Sequence, residues 1–449
     1  MLGRATDEAL TSGPRRPLTI VLLARLKPGV TGGIEQAVVG TVAALGRLTD
    51  GDERYIVVTD PAAGGWLDPY IGSNTRIAVH PVSQLSVLDV APAWRVRART
   101  LLRPLVPAVR AARGVVGDMR RHIRGNTWSL AGEDPFIEGL GGDVVHFPYQ
   151  WLHRTSAPAV FNPQDVLHAH HPGLLSPAVV AYRQHMYTLW CREATVVEVP
   201  SQASKEDVIR YLGAPADKIL VVPKAAPTEL SGSPGKGELR VVRRQYALPA
   251  AFALYPAQTW SHKNHLRLVE AVAIVRDRYG VRLHVVCTGH QNDFWPTIQA
   301  RTRALRVAEQ ITFLGFVPAE HVRALYHLAE FSVFPTLFEG GGFPLLEALR
   351  DGCPLACSDL PVLREQAGDA ALLFDPTSTD AIAHALLRMH TESDLRDGLR
   401  QRGVARAGYY TWERTARTYR ALYRRLGGYP VDDEDRRLLS KAAGDRAHA

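Results

Sequence analysis

The chain alternates between short, continuous apolar runs and longer stretches of helical period. The first run, LTIVLL (18–23), is rich in β-branched residues and leads through a glycine-bearing loop into the helical pattern IEQAVVGTVAALGRL. A buried strand, a glycine turn and a helix make the opening unit of a parallel α/β sheet, whose strands are covered on both faces and so read apolar throughout. YIVVT (55–59), DVVHF (143–147), TVVEV (195–199) and ILVV (219–222) repeat the signal. Together they predict a doubly wound, Rossmann-like domain over 17–225.

After Pro223 the pattern stops. KAAPTELSGSPGKGE (224–238) has no apolar periodicity and reads as an exposed linker. A second series follows: FALYP (252–256), LHVVCTG (283–289), ITFLG (311–315), FSVFP (331–335), PLACS (354–358) and ALLF (371–374). A helix from Lys263 to Tyr279 lies among them, with Leu266, Val269 and Ala273 on one face. This predicts a second Rossmann-like domain over 240–410, and two such domains joined by a linker leave a cleft between them. A helix is expected over 412–426, and the charged tail 431–449 is expected to be disordered.

Composition changes this picture little. The 449 residues carry 53 Lys and Arg against 45 Asp and Glu, a formal charge of +8, with 46% hydrophobic positions. These values exclude a disordered chain, a fibre or a mini-protein. The four cysteines, Cys191, Cys287, Cys353 and Cys357, are too few for a disulfide framework, so a reducing compartment is expected, with the last two as small core residues. No run approaches the ~18–20 apolar residues that span a bilayer, and MLGRATDEALTSGPRRP lacks the apolar core of a secretory signal. The expected location is the cytoplasm. Between Trp94 and Arg124 there are nine arginines and one acid, Asp118. This basic insertion, about 85–130, has three readings: a solvated insertion, a lid over an acceptor, or a patch that docks peripherally to the anionic inner face of the cell membrane. No recognition motif accompanies the charge, and nucleic acid is not an expected partner.

The chemistry is concentrated in FSVFPTLFEGGGFPLLEALRDGCPLACSDLPVLREQAGDAALLFDP. A strand ends at Pro335, Gly340, Gly341 and Gly342 form a loop, and Pro344 suits the first position of a helix that Gly352 and Pro354 stop. Glycines let a backbone approach a ligand closely, and the amides at a helix start attract anions. Glu339 and Glu347, expected in the loop and the first helical turn, flank this cradle. A carboxylate repels phosphate but accepts hydrogen bonds from sugar hydroxyls. The ligand that satisfies both is a nucleotide diphosphate sugar.

The Glu-x7-Glu pattern at Glu339 and Glu347, with GGGFPLLEAL between and SDLPVLRE after it, resembles the large retaining glycosyltransferase family of GT-B fold, the fourth glycosyltransferase sequence family. The resemblance covers nearly the whole chain and implies a C-terminal helix, 411–430, that crosses back to the N-terminal domain. It places the nucleotide ribose on Glu347, the donor sugar on Glu339, and sugar and phosphate on the loop amides around Gly341, Gly342, Phe343 and Pro344, the proline bounding the loop rather than donating. YPAQTWSHKNHLRLVEAV resembles the family's His-Lys-Asn branch, so Lys263 is expected to bind the diphosphate, with His262 and Asn264 as donor-side neighbours. Gln258 stands where many members carry an arginine. NPQDVLHAHHPGLLSP resembles the branch's acceptor element and implies roles for Asp165 and His168, with His170 and Pro172 matching too. A histidine usual beside the aspartate is replaced by Gln164, and His168 or His146 is expected to take its contacts. Gly32 and Gly33, in TGGIEQ, form either a tight strand-to-helix turn or a phosphate or acceptor contact.

These features imply a hexosyltransferase acting with retention, without a cofactor or an essential metal, on a glycan, lipid-linked or small-molecule acceptor. The branch includes many mannosyltransferases, which makes GDP-mannose the first donor expected and UDP-sugars the next. A non-hydrolysing sugar-nucleotide epimerase and a non-catalytic sugar-nucleotide-binding subunit are the alternatives.

Overall fold

A computed structural model of the chain describes residues 16–29, 32–83, 128–230 and 232–444. The arginine-rich stretch from Trp94 to Arg124, and Thr31 of the first glycine loop, lie outside the described residues. The first sheet is built from β1 (Thr19–Ala24), β2 (Arg54–Thr59), β3 (Thr75–Val79), β4 (Val144–Phe147), β5 (Ala159–Phe161), β6 (Val196–Val199) and β7 (Ile219–Val221), in the order β3-β2-β1-β4-β5-β6-β7. The second takes β8 (Ala253–Pro256), β9 (Val285–Thr288), β10 (Ile311–Phe313), β11 (Phe331–Phe334), β12 (Leu355–Ser358) and β13 (Ala371–Phe374), in the order β10-β9-β8-β11-β12-β13. The strands pair in parallel in both sheets.

Each apolar run named above becomes a strand, because burial on both faces is what its composition suits. Strands β3 and β5 were not foreshadowed. β3 is an edge strand whose Arg76 and Val79 face solvent, and β5 is only three residues long.

Seven helices carry the rest of the account. They are α1 (Gly33–Arg47), α2 (Gln202–Leu212), α3 (His265–Tyr279), α4 (Phe343–Arg350), α5 (Pro361–Ala367), α6 (Trp412–Leu426) and α7 (Asp433–Ala443). The Ser201 hydroxyl caps α2 by accepting from the Ser204 amide at 3.0 Å, and Gly213 stops it in the left-handed conformation. In each sheet the strand order reverses once, between β1 and β4 and between β8 and β11. Crevices at the carboxyl ends of the strands open at such switch points.

The chain crosses between the domains twice, and the crossings are tied together. Trp412 Nε1 donates to the Ala226 carbonyl at 3.0 Å, and Thr415 Oγ1 to that of Pro223 at 2.6 Å. From there α6 lies along α1 and shares the core of Leu18, Ile20 and Tyr55. Gly40 makes this possible, since a Cβ there would fall inside the Trp412 ring. Beneath α6 the Lys224 ammonium sits 3.2 and 3.3 Å from the two Glu198 carboxylate oxygens and also bonds Tyr419. Asn162 Nδ2 reaches Glu198 at 2.5 Å, and His146 Nδ1 meets the Tyr423 hydroxyl at 2.7 Å. Burial works to raise the Glu198 carboxyl, but Lys224 and His146 outweigh it and hold it at about 2.

Two expectations need correction here. The stretch 224–238 is not simply exposed: Lys224, Ala225, Ala226 and Thr228 are buried under α6, and a helix begins at Lys236. The tail is not disordered over its described part, because 433–443 form α7. Asp432 and Asp435 close a capping box at its start, Leu439 and Ala442 are buried, and Lys205 Nζ donates to the Ala443 carbonyl at 2.7 Å. Its polar composition reflects a helix that buries one narrow stripe.

Candidate functional site

The site is assembled from loops at the two switch points. After β8 the chain runs through Gln258 and Trp260 into a tight turn over Ser261–Lys263, and Asn264 adopts a left-handed conformation (φ 62°) before α3 begins. Asn264 Nδ2 donates to the carbonyls of Pro335 (2.7 Å) and Pro376 (2.8 Å), and its Oδ1 accepts from Arg267 at 3.0 Å. The side chain expected on the donor is therefore spent on backbone, and its contribution is to fix the turn carrying Lys263. The loop after β11 is stitched alongside, with the Leu337 amide donating to the His262 carbonyl at 2.7 Å. Across this seam Lys263 Nζ meets Glu339 Oε1 at 2.6 Å, with 19% and 13% of the two side chains exposed.

Beyond Glu339 the glycine loop turns into α4. Gly342 (φ 57°) is its N-cap, no side chain caps the helix, and Pro344 occupies the first turn. Pro344 has no N–H and the Leu345 amide donates to the Gly342 carbonyl at 3.0 Å, so it is the Gly342 and Phe343 amides that face an incoming acceptor of hydrogen bonds. The helix starts at Phe343, so Glu347 lies in its second turn rather than the first. Its half-buried carboxylate accepts from the Tyr326 hydroxyl at 3.0 Å. Burial pushes the Glu347 carboxyl up to about 7, against the Tyr326 hydrogen bond.

The N-terminal domain closes against these loops. A Cβ at Gly32 would stand 3.3 Å from Gln258 Nε2, and one at Gly33 3.3 Å from the Phe343 ring. A Cβ at Gly340 would stand 2.8 Å from the Gln164 carbonyl and 2.9 Å from Asp165 Cβ. Gly32, Gly33, Asp165, Gln258, Lys263, Glu339, Gly341, Gly342, Phe343 and Pro344 therefore converge on one interdomain cleft.

The histidines do not all join them. His168 is 1% exposed, packs edge-on against Tyr187, and finds no hydrogen-bond partner for either ring nitrogen among the described residues. His146 is buried beneath α6. Neither can take over acceptor contacts as expected, because each short segment turns its ring into the core. His170 faces Asp207 at 2.9 Å, and His171 Nε2 meets the Leu337 carbonyl across the cleft at 3.2 Å. Burial, then the neighbouring Lys263, His171 and His265, push His262 down to about 3, so it stays neutral beside the lysine. Asp165 Oδ1 accepts from the Leu167 amide at 2.9 Å and lies 3.9 Å from Arg183.

Several residues were not singled out from sequence. Tyr326 orients Glu347, and Gln366 Nε2 holds the Gly341 carbonyl at 2.9 Å. Glu365 and Ser204 reach across the domain boundary. Only the folded neighbourhood reveals these roles. A cation beside open amides suits a diphosphate, and carboxylates on either side suit hydroxylated rings.

Residues 243–406 match the family model described as glycosyl transferases group 1. The O-antigen chain mannosyltransferase B of Escherichia coli is 28% identical over 298 residues, covering 65% of this chain and 75% of that protein. The serotype-specific mannosyltransferase WbdA of the same species is 28% identical over 228 residues, 48% of this chain but only 27% of the relative. Among solved structures, sucrose-phosphate synthase from Thermosynechococcus elongatus superposes with a TM-score of 0.64 at 17% identity, over 92% of this chain and 99% of that one.

Proposed function

We propose that this GT-B hexosyltransferase, a glycosyl transferase of group 1 by its sequence and fold, moves mannose from GDP-mannose to a glycan acceptor with retention at the anomeric carbon. The observation that carries the reading is the Lys263–Glu339 pair beside the uncapped start of α4. In the free protein the two side chains satisfy each other. A donor would give each its own partner: the diphosphate for Lys263 and a sugar hydroxyl for Glu339. The choice of mannose is supported by the mannosyltransferases among the relatives. A glycan chain is the acceptor class supported by the O-antigen chain relative.

The chemistry follows from the parts. As the bond from the anomeric carbon to the diphosphate breaks, negative charge grows on the leaving oxygens, where Lys263 and the amides at Gly342 and Phe343 stabilise it. The acceptor hydroxyl bonds the same face of that carbon, and its proton passes to a leaving phosphate oxygen. Gln258 is neutral, so Lys263 and the helix dipole carry the cationic share. Closure of the N-terminal domain excludes water that would hydrolyse the donor.

Calorimetric titration with GDP-, UDP- and ADP-sugars, followed by transfer assays with oligosaccharide acceptors, tests this. GDP-mannose is expected to bind most tightly and to yield an α-linked product. Tight binding of UDP-glucose with none of GDP-mannose would overturn the donor assignment, and a β-linked product would overturn retention.

A further inference from the structure

Among the cross-domain contacts that the catalytic reading does not use, one is bidentate. Glu365, half-buried on α5 of the C-terminal domain, accepts the Gln202 amide at 2.8 Å on one carboxylate oxygen and the Ala203 amide at 2.9 Å on the other. Those amides open α2 of the N-terminal domain, where a carboxylate meets two unsatisfied donors and the positive end of the helix dipole together. Ala203 also packs against the C-terminal core, and Ser204 Oγ, one residue on, donates to the Gly340 carbonyl at 3.3 Å.

The other end of this contact is rigid. Arg406 donates to the Glu365 carbonyl at 2.7 Å and to the Gln366 carbonyl at 2.9 Å, pinning the last turn of α5. Gln366, the next residue, holds the Gly341 carbonyl at 2.9 Å and lies against Gly342. Two consecutive side chains on one pinned helix thus grip the opposite domain and the donor loop.

We infer that Glu365 is a positioning residue whose grip on the start of α2 latches the cleft closed, and that Gln366 ties that closure to the shape of the glycine loop. The inference rests on the transferase reading for its catalytic consequence. The latch itself is a property of the free protein. Opening it lets the Gly340 loop and Asp165 separate, admits water, and leaves the C-terminal domain able to hold nucleotide.

Two substitutions attack the latch from opposite sides. Glu365→Gln removes the charge and turns one acceptor into a donor facing an amide. Gln202→Pro deletes one of the two amides at the first helical position, where proline is well tolerated, after Ser201 whose backbone is already extended. Each is expected to lower kcat about tenfold, corresponding to about 1.4 kcal/mol, and to raise the share of donor lost to hydrolysis. GDP affinity by calorimetry should stay within about twofold and the melting temperature should hold. The double variant should be no worse than the worse single one, since both break the same contact.

Small-angle scattering without ligand supplies a readout independent of turnover, with Glu365→Ala expected to show a larger radius of gyration than the parent chain. Parent-like scattering would overturn the latch whatever the protein's donor proves to be. A parent-like kcat and hydrolysis share, or loss of GDP binding together with melting temperature, would overturn its positioning role. A larger radius alongside no turnover of any nucleotide sugar by the parent would sustain the latch and reject the transferase assignment instead.

Discussion

Glu347 makes the site sensitive to pH in a direction fixed by its surroundings. Burial holds its carboxyl at about 7, from an ordinary 4.5. The folded protein therefore keeps a proton that the unfolded chain releases. The stability from this group is complete below about pH 4.5 and is lost as pH rises through 7, a difference of roughly 3 kcal/mol. A ribose diol changes the balance, because its two hydroxyls donate to an ionised carboxylate and replace the water that burial removed. Donor binding should then select the ionised form.

With a value near 7, the ionised fraction falls about tenfold from pH 8 to pH 6, so the Kd for a nucleotide sugar should rise about tenfold, or about 1.4 kcal/mol. GDP-mannose, or the tightest nucleotide sugar found, is the right probe, since its diphosphate is esterified at both ends and does not itself titrate in this range. Calorimetry in two buffers of different ionisation heat reads the linked proton directly. Release of nearly one proton per donor bound is expected at pH 6 and almost none at pH 8, and Glu347→Gln should abolish both the release and the slope. A flat affinity profile in the parent, or proton release that survives in Glu347→Gln, would refute the assignment of Glu347 to the ribose.

Three further outcomes are expected. Lys263→Ala should lower kcat by about 10²–10³-fold while the chain stays folded, the usual cost of removing a group that stabilises charge in the transition state; parent-like turnover would remove Lys263 from the chemistry. Gly342→Ala should weaken donor binding about tenfold or more, because the left-handed backbone resists a side chain and the new Cβ would land on Gln366 Oε1 and 3.1 Å from Leu363; calorimetry checks this. Lys224→Met should cost about 3–5 kcal/mol in urea unfolding by leaving Glu198 buried without its cation, whereas pairing it with Glu198→Leu should recover much of the loss.

The residues most legible in the sequence are those whose role is local. Strands buried on both faces announce themselves by unbroken apolar runs, and the cradle is spelled out by three glycines and a proline between Glu339 and Glu347. Roles set by distant partners are not local. His168 sits in a motif that suggests contact with an acceptor, yet the fold turns its ring toward Tyr187. Asn264 adjoins the key lysine and is consumed by two carbonyls far along the chain. Glu365 reads as one more surface acid until α2 is brought against it. The helix at 433–443 escapes because a single buried stripe leaves a mostly charged sequence.

The roof supplied by α6 has a consequence for how the molecule is made. One face of the first sheet, with Leu18, Ile20 and Tyr55, is covered in part by α1 and completed by residues that leave the ribosome about 200 positions after β7 is complete. At roughly 5–20 residues per second, that face waits some 10–40 s for its cover. During synthesis that part of the face is therefore an open, sticky surface that chaperones would be drawn to. A stop codon between Phe374 and Trp412 would leave it so permanently, while every strand of the second sheet would still be made.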